Sequence, residues 1–384
     1  MNINFLRLIE LARRVIAKET GELNPELFSD VQDVDMWKQL YQLARMQEIE
    51  VLLHEATKDI SLPEEVQGKF YEVYNRAVRK EAIMHIEVSN YFELLDREGI
   101  TYMPVKGWLL KNLYEKPYLR TMTDVDVLIQ KGDFANACEA IQTLGFHEEI
   151  IGECHNVYIK KPVTEVEVHH QLFGEDSVLY EWGQSIMTRS EDFKMSDEDT
   201  YIYLIAHMAK HFTKDGAGMR NLIDYYLFKQ KYVFDKEQQS YIDSTLEQLG
   251  LKIFDERIAE VVTLWFEGGE YNSETEGLTE YIMDGGLYGK AGNAEAMVRS
   301  DSKNKFTWML KEVFPSYKKM KTYLPFKRTY KVLTPFYWLF RIFRLLFFRR
   351  NKMQVKLATA GKGVEDIDKV KKLIDSMGMN TIKY

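Results

Sequence analysis

A chain of 384 residues, 45% of them hydrophobic and 29% charged, can bury a sizeable core and has the length for two or three domains. Its formal net charge of -8 excludes a generally basic nucleic-acid coat, so any polyanion contact has to be local. Two cysteines, Cys138 and Cys154, are too few for a disulfide framework and lack metal-ligand spacing, which points to a reducing compartment and away from a cysteine zinc site.

The opening segment, MNINFLRLIELARRVIAKE, places Phe5, Leu8, Ile9, Ala12 and Ile16 at helical spacing. Charges interrupt it, unlike a secretory leader, so a packed helix of a cytoplasmic protein is expected. Residues 1–98 read as an N-terminal helical region, in which the run after Pro63 meets only Gly68 as a breaker before it stops at Gly99. Across 99–175 the period changes. The β-branched runs ITYMPV, DVDVLI, HNVYIKK and EVEVHH alternate with helical WLLKNLYE and DFANACEAIQTLG, an α/β or α+β pattern. Residues 176–266 return to helical spacing and form a C-terminal helical domain. Seven glycines between 267 and 304 suggest a long loop region, with a helix, over 267–315. Residues 353–384 are a C-terminal tail.

Between them, residues 316–352 hold eleven Lys or Arg and no Asp or Glu, interleaved with aromatics such as Phe336, Tyr337, Trp338, Phe340 and Phe343. The apolar part is too short for the roughly 20 residues that span a bilayer, and Arg341 and Arg344 interrupt it. Three readings stay open. The segment packs its aromatic side on the rest of the protein with arginines reaching water, lies on an anionic membrane surface, or cradles a polyanion.

The chemistry concentrates in DVDVLI. On a strand, alternate side chains share a face, so Asp124 and Asp126 stand together while Val125, Val127 and Ile129 face the other way. Two carboxylates so close repel unless a cation joins them. Mg²⁺ suits such a pair, because it takes oxygen ligands and leaves positions for water and phosphate. In TEVEVHH, Glu165, Glu167 and His169 likewise share one face. If that strand neighbours the first, Glu167 completes an acidic triad, as a further metal ligand or as the base for an attacking hydroxyl.

The order of these pieces resembles the polymerase-beta-like nucleotidyltransferase superfamily, and within it an uncharacterised bacterial nucleotidyltransferase family. The residues that carry the likeness are Lys106-Gly107, Tyr114, Arg120, Asp124-Val125-Asp126-Val127-Leu128, Gly145-Phe146 and Glu167-Val168-His169, across roughly residues 100–230. The resemblance implies an α+β core, a small mixed sheet with helices, flanked by N-terminal and C-terminal helical regions. It implies a nucleoside triphosphate such as ATP as substrate, Mg²⁺ (Mn²⁺ as the alternative) on Asp124, Asp126 and Glu167, and release of pyrophosphate. Lys106, Gly107, Trp108 and Arg120 would then meet the nucleotide, with backbone N–H groups after Gly107 at its phosphates. Trp108 departs from the superfamily, which has Ser or Gly there, and an indole cannot give a phosphate the same short hydroxyl contact; the alternative is a core residue.

Further residues have two readings each. His207 and His211 are i,i+4 on a helix, a spacing that can bind metal, and read first as packing; Arg220 and Asp224, also i,i+4, read as a surface pair or as part of an acceptor site. His155 and Lys160 face either the cleft or solvent. His169 is assigned to orienting Glu167 or the acceptor. The acceptor itself is open between a small molecule or sugar, RNA and protein. The rival function, which Trp108 supports best, is a binding or scaffold protein that keeps the fold without the chemistry. Location is expected to be cytoplasmic, with contact at the inner membrane surface through 316–352 as the alternative.

Overall fold

The computed structural model describes residues 1–189, 192–214, 216–285, 314, 317, 330–340 and 372–379. Helix α1 (Ile3–Ile16) buries Phe5, Leu8, Ile9, Ala12 and Ile16, the apolar stripe read from its spacing. Helices α2 (Val34–Met46) and α3 (Glu50–Thr57) follow, the former capped by the Asp33 carboxylate on the N–H groups of Asp35 and Met36. Helix α4 (Glu64–Glu98) runs 35 residues, about 52 Å at roughly 1.5 Å per residue. Gly99 ends it with φ 66°, the left-handed conformation that glycine adopts without a Cβ clash.

A five-stranded mixed sheet comes next, ordered β1-β2-β5-β4-β3: β1 (Tyr102–Val105), β2 (Val125–Ile129), β3 (His147–Ile151), β4 (His155–Lys160) and β5 (Thr164–His169). Strands β2 and β5 pair in parallel, and the other neighbours are antiparallel. A short helix α5 (Gly107–Leu110) follows β1, and α6 (Phe134–Thr143) lies between β2 and β3. Val125, Val127, Ile129, Val166, Val168 and Tyr158 form one apolar layer with the C-terminal half of α4 and with α6. Phe146 joins that layer, and Gly145 at φ 83° makes the turn that brings it there. The second core holds Met103, Val105 and Leu128 with residues from α1 to α4 and from the helices that follow the sheet.

Those helices are α7 (Tyr180–Arg189), α8 (Asp197–Lys214), α9 (Met219–Lys231), α10 (Lys236–Gln248), α11 (Lys252–Phe266) and α12 (Ser273–Gly285). They close back on the N-terminal region: Arg13 donates to the Trp265 carbonyl at 2.8 Å, and buried Gln47 receives the Met219 N–H at 2.6 Å and donates to the Met283 carbonyl at 2.8 Å. Within the expected loop region, α12 is helical through Gly277, and Leu278, Ile282 and Met283 bury its apolar side; the glycines did not break it. The rest of that region, 286–313, lies outside the described residues.

Most of the basic segment 316–352 also lies outside them. Of its described part, Val332, Phe336 and Leu339 are exposed while Tyr337 is buried. Among the described residues no helix is long and apolar enough to cross a membrane. In 372–379, Ile374, Met377 and Met379 join the large core.

Candidate active site

Parallel pairing puts Asp126 of β2 beside Glu167 of β5, and antiparallel pairing puts His155 of β4 opposite His169 of β5. The face of the sheet away from α4 and α6 therefore carries Asp126, Glu167, His155 and His169, with Asp124 just before β2. One ligand atom from each of Asp124, Asp126 and Glu167 lies within 4.8 Å of the others. An all-oxygen set of that size matches what a hard divalent cation takes. Burial, then Asp126, pushes the Asp124 carboxyl above the usual carboxylate range. Asp124 accepts from Thr123 Oγ1 at 2.9 Å and makes no ion pair among the described residues. A cation would relieve that repulsion, so the residues fit one.

Asp126 is different. Burial opposes its ionisation, but Lys106 and His169 outweigh it and hold the carboxyl well below its ordinary range. The Lys106 ammonium pairs directly with Asp126, and His169 Nε2 lies 2.8 Å from Asp126 Oδ1 and 3.2 Å from Glu167 Oε2. Lys106 reaches there from a backbone at φ 52°, ψ -124°, a conformation that costs a residue with a Cβ about 1–3 kcal/mol. Gly107, next along, has no room for a side chain: a Cβ would sit 2.6 Å from Arg120 Nη1 and 2.7 Å from Met122 Sδ.

These groups line a cavity of about 490 Å³ between the sheet and α8–α9, within the range of roughly 300–1,000 Å³ usual for small-molecule sites. Carboxylates occupy one part of its wall, and Lys106, Arg120, Lys210 and Arg220 supply positive charge around it.

Several sequence expectations are corrected here. Trp108 does not line the cavity. Its indole turns toward α4, stacks on His85 at 5.8 Å, meets Phe92 edge-on at 5.6 Å and carries the Lys111 ammonium 3.3 Å above its ring. Trp108→Ala is therefore expected to cost about 2 kcal/mol, roughly half the loss for a fully buried indole, in a urea titration. NTP binding should remain; its loss in a folded variant would put the indole back at the nucleotide. Lys160 also leaves the cleft, since it lies on the opposite face of β4 from His155 and pairs with Glu87 of α4.

Arg220 and Asp224 do not form the expected mutual pair. Arg220 pairs with Glu48 and donates to the Thr121 carbonyl at 2.8 Å. Asp224, 1% exposed, receives Arg120 Nε at 2.8 Å, Arg120 Nη2 at 2.7 Å and the Tyr114 hydroxyl at 2.8 Å. The tyrosine and the arginine singled out upstream of D-x-D thus end on one carboxylate of α9, and two of the three guanidinium nitrogens of Arg120 are committed there.

His207 and His211, read from sequence as packing, line the cavity instead, their Nε2 atoms 3.1 Å apart. Burial, followed by Lys106 and His211, holds His207 well below its ordinary pKa, so it is neutral near pH 7. The i,i+4 spacing was the available signal; which way that face pointed was not in it.

His169 gives a pH signature. Burial lowers its pKa, but bonds to Asp126 and Glu167 outweigh this and raise it above the ordinary 6.5. A raised folded pKa contributes stability in full below the unfolded value and loses it as pH climbs through the folded one. The Tm of metal-free protein is expected to fall as pH rises above 6.5, with a shallower decline in His169→Gln; equal slopes would contradict the charged bridge.

The mixed sheet, its carboxylate-bearing face and the flanking helices together define a nucleotidyltransferase-type core. The chain belongs to the uncharacterised nucleotidyltransferase family, whose profile matches residues 33–267, more than half its length and wider than the 100–230 stretch of the sequence motifs. That family supports a general nucleotidyltransferase activity on a nucleoside triphosphate. No match was found among the curated proteins or the solved structures.

Proposed function

We infer that the protein transfers a nucleoside monophosphate from an NTP to an acceptor hydroxyl, with Mg²⁺ or Mn²⁺ held by Asp124, Asp126 and Glu167. The observation that carries this is the convergence of the three carboxylates on a cavity that Lys106, Arg120, Lys210 and Arg220 also line. A divalent cation held by these carboxylates would neutralise them and draw charge from the phosphate oxygens. The acceptor oxygen bonds to the α-phosphorus, the bond to the β-bridging oxygen breaks, and pyrophosphate leaves. Glu167 takes the acceptor proton in the alternative where it does not ligate the metal. Lys106 exchanges Asp126 for the triphosphate, its ammonium serving as Asp126's counter-charge until then.

Lys106 also supports the second reading, a binding protein without turnover, because it and His169 compensate Asp126 with no metal at all. Trp108, which supported that reading in the sequence, lies away from the cavity and no longer does. The acceptor remains a proposal among a small molecule or sugar, RNA and protein, as does contact of 316–352 with a membrane or polyanion. Incubation of the protein with labelled NTP and cell extract, followed by mass spectrometry, should show one molecule gaining a nucleotidyl mass. Label recovered only as intact NTP with all fractions unmodified would favour the binding protein.

A further inference from the structure

We propose that His155, Glu167 and His169 form a second cation position, a two-nitrogen, one-carboxylate site selective for a first-row transition ion such as Mn²⁺, sharing Glu167 with the all-oxygen position of Asp124 and Asp126. It deepens the nucleotidyl-transfer reading, on which its role in catalysis rests. One ligand atom from each of the three residues lies within 4.8 Å of the others. His169 Nε2 is 3.2 Å from Glu167 Oε2, and His155 Nε2 is 3.5 Å from Glu167 Oε1. Ligands about 2.1 Å from one ion at tetrahedral angles stand roughly 3.4 Å apart, and each of these separations, one to each Glu167 oxygen, is close to that.

The rings are cross-strand partners, 4.5 Å between centroids, so the sheet itself fixes their approach. The polar contacts of both side chains run through Nε2 toward carboxylates. His169 Nε2 faces two carboxylates at once and carries one proton at most between them. An ion accepting lone pairs from both imidazoles and from Glu167 resolves that mismatch. Imidazole nitrogens accept first-row transition ions, Mn²⁺ least tightly among them, while Mg²⁺ keeps to oxygen. The two adjoining positions therefore differ in chemistry: one hard, one nitrogen-rich.

The test uses Mn²⁺ alone, with no nucleotide, on the full chain. Equilibrium dialysis should find two Mn²⁺ per chain, and electron spin-echo envelope modulation should show directly bound ¹⁴N. His155→Gln, at the less buried of the two rings, is expected to weaken one of the two Mn²⁺ sites roughly tenfold or more, and His155→Gln/His169→Gln to abolish the nitrogen signal. Circular dichroism establishes that each variant folds, and His155→Gln carries the test if the double variant does not. Absence of ¹⁴N modulation at saturating Mn²⁺, or a signal unchanged in His155→Gln, overturns the proposal in favour of histidines that only orient Glu167. Nitrogen coupling in a protein that turns over no NTP would leave this site standing and the transfer reading fallen; turnover without nitrogen coupling would do the reverse.

Discussion

Asp124→Asn is expected to lower Mg²⁺-dependent NTP turnover on the order of 10³-fold while leaving the folded protein at least as stable. A metal ligand that helps spread transition-state charge contributes several kcal/mol, and each 1.36 kcal/mol is a decade in rate. The stability half follows from the opposite side of the same geometry. Burial and Asp126 raise the Asp124 pKa in the folded state. A carboxyl with a folded pKa above its unfolded one opposes folding once it ionises, and the penalty is complete above the folded value. Asparagine removes the charge and with it the penalty. Asp126→Asn is the contrasting variant, because it leaves the Lys106 ammonium without its partner and should lose both activity and stability. Turnover within a few-fold of wild type in Asp124→Asn would remove this carboxylate from the chemistry; a marked fall in urea midpoint would mean that it is a structural anchor.

Arg120→Ala is expected to destabilise the protein by about 3–5 kcal/mol, the usual consequence of stranding one partner of a buried ion pair. Asp224 would retain only the Tyr114 hydroxyl among its three side-chain bonds, and the space beside Gly107 would open. Against a total stability of roughly 5–15 kcal/mol, that is a large share. Replacing the pair together, as Arg120→Met with Asp224→Leu, should recover most of the loss, since an apolar pair of similar volume carries no stranded charge. Urea titrations of the three proteins measure this. A loss below about 1 kcal/mol in Arg120→Ala would show that the clasp between α9 and the segment before β2 is not what holds that wall of the cavity.

The parts of this protein legible in its sequence are those governed by local period and by single-residue chemistry. Alternation in DVDVLI and EVEVHH gave β2 and β5, the stop at Gly99 became a left-handed cap, and Gly145-Phe146 became a turn and a buried ring. Strand β3 was missed for a physical reason: all five of its residues are exposed at the sheet edge, so no face of it is selected to be apolar. The carboxylate triad was legible only conditionally, because phase says which face Glu167 occupies but not that β5 lies beside β2.

Side-chain destinations set by distant partners were not legible. Arg120 finds Asp224 across 104 positions, and Arg220 finds Glu48 across 172, so i,i+4 spacing on α9 suggested the wrong pairing. Trp108 looked like an obstacle at the phosphates because its neighbour Gly107 belongs to the cavity wall, yet one residue along a helix turns a side chain by about 100°. His207 and His211 show the converse, since helix phase made them neighbours and tertiary packing made them part of the cavity.

The central claim is that Asp124, Asp126 and Glu167 hold a divalent cation that binds NTP for transfer. Isothermal titration of the full chain with ATP, CTP, GTP and UTP, each with and without Mg²⁺ or Mn²⁺, tests it most directly. Binding of at least one NTP that needs the metal, and that fails in Asp124→Asn, is the predicted result; no binding of any of the four with either metal would contradict it.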